Sequence, residues 1–189
     1  MIFKDTNLKD AKLITPFTQN DCRGSFIKDF HYSEFKTHNI DFNIKEEMQT
    51  ISKKGVIRGM HFQLYKPQAK LVRCVKGRIF DYIVDVRKNS PTYLQGQGFI
   101  LSEENNNCLY VPKGFLHGYL VINDSIVTYK CDEEFYKDGD SVIRYDDKTL
   151  NIDWQIDKFI GNSTKIILSE KDNNAPNFEY YIGKFENIT

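Results

Sequence analysis

An all-β fold, with antiparallel strands packed as a sandwich or barrel and only a few short helices, is what this 189-residue chain predicts. Three observations carry that expectation. Between Lys70 and Arg87, residues Phe80, Tyr82, Val84 and Val86 fall on one face while Ile79, Asp81, Ile83 and Asp85 fall on the other, the period-two alternation of a strand. Further short runs of strand character follow at Gly98–Leu101, Cys108–Val111, Gly118–Ile122 and Ile126–Cys131, with turn residues between them. Phe and Tyr are abundant, which suits pleated surfaces that are half buried.

Taken in order, the N-terminal MIFKDTNLKD is too charged and too short in apolar run for a signal peptide. Residues Tyr32 to Thr37 predict a short helix with Ser33 as its N-cap. The stretch GVIRGMHFQ, Gly55 to Gln63, reads as a strand with His61 and Gln63 on one parity and Arg58 on the other. Within Lys70 to Arg87, the Lys76-Gly77 step predicts a hairpin turn, and Asn89-Ser90-Pro91 ends the alternation. A second histidine, His117, lies in the strand-like VPKGFLHGYLV. From Asp146 onward the chain reads as polar and irregular, a tail expected to wrap the strands. No internal repeat, low-complexity tract or Pro/Gly-rich linker divides the chain, so residues 1–189 are expected to form one domain. A chain of this length buries roughly 70% of the surface it exposes when unfolded, enough for a sizeable core.

Composition narrows the function classes. Lys plus Arg and Asp plus Glu both number 26, and no basic block stands out, which argues against a nucleic-acid partner. Cys22, Cys74, Cys108 and Cys131 are scattered with no CxxC pair, so structural zinc is excluded and buried thiols are expected to act as small hydrophobes. Nothing approaches the ~20 apolar residues of a membrane span. A cytoplasmic protein is the expectation.

A lone histidine on a strand is ordinarily a satisfied structural group. His61 gains weight from the residues expected beside it. An interior lined by His61, Gln63, Lys70, His117 and Tyr129 is too polar for plain core, and converging buried polar groups point to an anionic ligand. A metal site of the HxH type fails because Gln63 stands two residues after His61, and two imidazoles leave a first-row metal short of ligands. The expectation is a site without metal or cofactor.

The stretches GVIRGMHFQ, QAKLVRCVKGRIFDYIVDVRKNSPT, LYVPKGFLHGYLV and LSEKD, in order from about Arg23 to Asp172, resemble the dTDP-4-dehydrorhamnose 3,5-epimerase family of nucleotide-sugar enzymes. That resemblance implies a cupin-type jelly-roll barrel, a homodimer, no cofactor, and a substrate that is a nucleotide-diphospho-4-keto sugar. Such a sugar carries a C4 ketone that acidifies C3–H and C5–H, so inversion takes a base on one face, an acid on the other and support for the enolate. By resemblance His61 is the base, Asp172 its carboxylate partner, Tyr129 the proton donor and Lys70 the cation over the enolate oxygen. Arg23, Arg58, Gln63, His117, Lys171 and Tyr119 match substrate-holding positions, with Tyr136 a weaker candidate. The product is expected to feed a surface polysaccharide, O-antigen or capsule.

Two departures lie on the nucleotide side. Lys28 stands where the family usually has a glutamate, and Glu46-Glu47-Met48 replaces a Gln-x-Asn element. These leave open a GDP-linked 4-keto sugar, including a heptose, and inversion of C3 or C5 alone. A 3,4-ketoisomerase, a metal-dependent oxygenase and a non-catalytic sugar-binding jelly roll are the remaining alternatives.

Overall fold

The computed structural model describes residues 1–185 and is dominated by strands. The chain runs β1 (Ile2–Asp5), β2 (Lys12–Thr15), β3 (Phe17–Asp21), β4 (Gly24–Lys28), α1 (Tyr32–Thr37), β5 (Glu46–Ser52), β6 (Ile57–Gln63) and β7 (Lys70–Asp85). It continues through β8 (Gly96–Ser102), β9 (Cys108–Val111), β10 (Phe115–Cys131), β11 (Asp140–Val142), α2 (Ile156–Ile160) and α3 (Glu170–Asn173). Nine strands form one antiparallel sheet, and β3 and β4 form a separate hairpin.

Two long strands organise the sheet. β10 runs antiparallel to β7 along nearly its whole length. The first half of β7 pairs with β9 and its second half with β8, whereas β10 pairs with β6 through its first half and with β5 through its second. Side chains from both halves, Val72 with Ile83 and Tyr119 with Tyr129, join one buried cluster. The sheet therefore folds over on itself and faces its own interior.

The fold-over falls where two turns were expected. Lys76-Gly77 makes no hairpin: Gly77, at φ +77°, lies within a continuous β7, and a Cβ there would meet the Asp124 carbonyl oxygen at 2.2 Å. Gly118–Ile122 and Ile126–Cys131 likewise belong to one strand, with shifts of register between Val121 and Val127. Gly, Asn and Asp supply the local geometry of a bulge as readily as that of a turn, so the sequence signal was real but its class was misread.

The alternation along β7 separates two cores. Ile79 and Ile83 face the interior, while Phe80, Val84 and Val86 pack outward against Leu150, Trp154, Phe178 and Phe185 of the tail. The tail is thus a core-forming element, because its apolar residues are spaced among polar ones that hid them. A third cluster lies beneath α1, where Phe35 is fully buried. That helix starts from His31 rather than Ser33 and has no side-chain cap; the buried Phe35 sets its phase. The hairpin of β3 and β4 is exposed almost throughout, with Phe17 and Phe26 at 44% and 63% exposure.

Candidate active site

The interior opens on a cavity of about 200 Å³ between β5, β6, β7 and β10. Arg58, His61, Lys70, His117, Tyr119 and Tyr129 all line it. Arg58 and His61 share the cavity against the expected parity, and the reason is a bulge. His117 of β10 pairs with His61, but Tyr119, two residues on, pairs with Arg58, three residues back. The extra residue in β6 turns Arg58 to the side of His61. Gly59 permits it: at φ +122° its Cβ position lies 2.6 Å from the Gly118 Cα, so two glycines let the strands touch there.

His61 Nε2 lies 2.5 Å from Asp172 Oδ1, a contact across 111 residues of sequence. The tail brings Asp172 there by pairing Ile167 with β6, through Ile57 N–H to the Ile167 carbonyl at 3.0 Å and Ile167 N–H to the Gly55 carbonyl at 2.9 Å. Ser169 caps α3 by accepting from the Asp172 N–H at 3.0 Å, and its hydroxyl donates to Asp172 Oδ2 at 2.8 Å. Burial alone would raise the Asp172 carboxyl; hydrogen bonding and charge from His61, with help from Ser169 and Lys171, hold it below the usual carboxylate value. Asp172 is therefore an anion at neutral pH that fixes Nε2 of His61 as a donor, leaving Nδ1 as the basic nitrogen.

His117 is held in the same manner, its Nε2 lying 2.9 Å from Asp81 Oδ2, with both residues buried. Burial pushes the Asp81 carboxyl up, opposed by His117 and Lys70. Asp81 escaped the sequence reading, although an aspartate on the interior face of a strand was the signal to find it. The Lys70 ammonium has no ion pair or hydrogen bond among the described residues, and burial lowers its pKa. Tyr129 Oη donates to Tyr119 Oη at 2.6 Å, and burial pushes the Tyr129 phenol well above its ordinary value. Both phenols stay protonated near neutral pH, since burial raises Tyr119 also.

Other sequence candidates fall elsewhere. Gln63 lies beside the cavity, but its amide is spent on backbone: it donates to the Lys66 and Glu134 carbonyls and accepts from Tyr136 N–H at 2.8 Å. It braces the segment that presents Phe135 to the cavity, and Tyr136 itself is held there beneath Lys66. Lys171 is at the rim, 2.5 Å from Asp140, which lines the cavity. Arg23 is not in the cavity of its own chain; it sits at the exposed turn between β3 and β4, paired with Asp21 at 2.5 Å. Of the nucleotide-side departures, Met48 lines the cavity, Glu46 accepts from Phe135 N–H at 2.5 Å, Glu47 pairs with Lys130 at 3.6 Å, and Lys28 lies over the Phe17 ring. Thr50 and Phe135, also on the cavity wall, carried no sequence signal. Among the described residues no group of three or more His, Cys, Asp or Glu side chains is placed to hold a metal, and no helix is long and apolar enough to cross a membrane.

Comparison with known proteins bears on this arrangement. Residues 5–180 match the family model described as dTDP-4-dehydrorhamnose 3,5-epimerase. A dTDP-4-dehydrorhamnose 3,5-epimerase of Methanothermobacter thermautotrophicus is 41% identical over 173 residues, 91% of each chain. The crystal structure of the enzyme of that name from Elizabethkingia anophelis superposes with a TM-score of 0.86 at 38% identity, covering 95% of this chain and 97% of the other. A dTDP-6-deoxy-D-glucose-3,5-epimerase from Legionella pneumophila, in complex with dTDP-4-keto-L-rhamnose, superposes with a TM-score of 0.90 at 32% identity, covering 97% and 96%.

Proposed function

Because the chain belongs to the dTDP-4-dehydrorhamnose 3,5-epimerase family, and is an isomerase with that family's fold, we propose that it inverts C3 and C5 of a dTDP-linked 4-keto-6-deoxy sugar. The observation that carries the reading is one cavity holding a carboxylate-anchored imidazole, an ammonium that has no ion pair among the described residues, and a buried phenol. The C4 carbonyl makes the neighbouring C–H groups acidic. His61 Nδ1 takes the proton from one face of the sugar, with Asp172 stabilising the imidazolium that forms. The electrons move to the C4 oxygen as an enolate, and Lys70 with the Asp81-anchored His117 offsets that charge in a partly dehydrated site. Tyr129 returns a proton from the opposite face. No metal or cofactor enters the scheme.

The cavity is smaller than the ~300–1,000 Å³ typical of pockets enclosing larger ligands, so it takes the sugar and leaves the nucleotide along the mouth. Arg58, whose Nε donates to Ser52 Oγ at 3.0 Å, keeps the rest of its guanidinium for the diphosphate. Lys171 stands at the same rim. Arg23 joins from a second copy: the exposed hairpin with Phe17 and Phe26 is apolar surface suited to a homodimer, and its turn carries Arg23 outward. The product then serves a surface polysaccharide, made in the cytoplasm.

The test is exchange in deuterium oxide, with dTDP- and GDP-linked 4-keto-6-deoxy sugars, followed at C3 and C5 by NMR. Uptake of deuterium at both carbons from the dTDP sugar is expected. Uptake at neither carbon from any substrate sinks the epimerase reading, uptake at one carbon alone sinks the double inversion, and uptake from the GDP sugar alone sinks the choice of nucleotide.

A further inference from the structure

Two inversions on one sugar take two protons from the same hydroxyl, and a sugar lying against Tyr129 keeps water from restoring the first there directly. The residues beside Tyr129 supply a route. Tyr129 Oη lies 2.6 Å from Tyr119 Oη, which lies 2.8 Å from Thr50 Oγ1. The direct distance from Thr50 to Tyr129 is 3.5 Å, too long for an effective transfer, so the three hydroxyls form a chain in that order. Each is both donor and acceptor. Tyr119 and Tyr129 are buried, whereas Thr50 of β5, on the cavity wall, is partly exposed, so the chain leads from the buried acid to a hydroxyl that water can reach.

We propose that Tyr119 is a proton-relay residue, which recharges Tyr129 through Thr50 so that both sugar centres are inverted in one binding event. The inference rests on Tyr129 being the proton donor. When Tyr129 gives its hydroxyl proton to the sugar carbon, a C–H bond forms and a phenolate remains. Tyr119 turns its hydroxyl to that oxygen and passes its proton across, and Thr50 passes its own to Tyr119 while taking one from water. The proton removed by His61 leaves from the imidazolium to solvent. Each inversion thus takes in one proton and releases one, and no charge accumulates. Transfer between two phenols is nearly even in energy because the groups are alike. A threonine alkoxide is far more basic, so the step through Thr50 is concerted with proton uptake from water. Buried hydroxyl chains of this kind also polarise one another, which favours concerted movement.

Tyr119→Phe keeps the ring and removes the relay oxygen. Thr50→Val cuts the outer end, and Thr50→Ser restores it. Each variant is given a dTDP-linked 4-keto-6-deoxy sugar under single-turnover conditions, and singly and doubly inverted products are measured by NMR. The ratio of doubly to singly inverted sugar is expected to fall by ~10²-fold in Tyr119→Phe, the lower end of what a positioned proton transfer contributes. It should fall less in Thr50→Val and return in Thr50→Ser. Should Tyr119→Phe not fold, as judged by thermal unfolding, the Thr50 pair carries the same test at a partly exposed position. An unchanged ratio, an equal loss of both inversions, or a parent enzyme that inverts one centre only overturns the relay. Full inversion by Tyr129→Phe instead overturns the donor assignment beneath it.

Discussion

Replacing Asp172 by Asn tests the base directly, since it keeps the shape and removes the charge. In the native protein Asp172 Oδ1 faces His61 Nε2 at 2.5 Å while Oδ2 accepts from Ser169. An amide offers one acceptor and one donor to those two partners. If its NH₂ faces His61, Nε2 becomes the acceptor and Nδ1, the base proposed above, already carries a proton and cannot take another. If its oxygen faces His61, the tautomer survives and the charge does not. With charge centres ~4 Å apart and an effective dielectric of ~20, the attraction lost when the imidazolium forms is about 4 kcal/mol, or ~10³ in rate. His61 is 34% exposed, and water on that side screens part of the effect, which brings the expected loss to ~10²–10³. The assay is the initial rate of deuterium uptake at C3 and C5 at saturating substrate. A rate within threefold of the parent would refute the reasoning. A pH signature accompanies the loss. The folded Asp172 carboxyl titrates below its ordinary value of 3.8, so its contribution to stability is whole above about pH 4 and disappears as pH falls through the folded value. Asp172→Asn should lose that stretch of acid dependence in thermal unfolding.

Two further outcomes follow from the geometry. Gly59→Ala puts a Cβ 2.6 Å from the Gly118 Cα at φ +122°, and strained backbone of this kind costs about 1–3 kcal/mol; thermal unfolding should show the loss and exchange should fall with it, because Arg58 and His61 lose their common side. A Gly59→Ala enzyme as stable and active as the parent would show that the bulge does not depend on glycine. Mixing Arg23→Ala chains with His61→Asn chains should recover part of the activity that each lacks, because one interface then has both residues intact; no recovery after subunit exchange would place Arg23 outside the partner's site.

Much of the architecture was legible because strand periodicity is a local property. Alternation along Lys70 to Arg87 placed Phe80, Val84 and Val86 on one face and Ile79 and Ile83 on the other, and the structure packs those faces into separate clusters. The same locality explains what failed. A Gly at position 77 announces a change of direction, but whether the strand reverses or bends depends on the Asp124 backbone that packs on it, 47 residues away. The apolar residues of the tail were invisible as a pattern because each fits a separate gap on the outer face of the sheet. Gln63 shared the parity of His61 and was expected at the substrate, yet a loop from Glu134 to Tyr136 uses up its amide.

The opening alternation and the four ordered motifs determined, by sequence alone, the class of fold, the family resemblance and the residue types proton chemistry requires, since side-chain chemistry and strand period are written residue by residue. Only the tertiary structure decided which of those residues meet. An extra residue in β6 turned Arg58 toward His61, the tail's pairing at Ile167 carried Asp172 back across 111 residues, and the fold-over of β7 and β10 set Tyr119 beside Tyr129 and Thr50. Each depends on contact between distant strands, which no local pattern encodes.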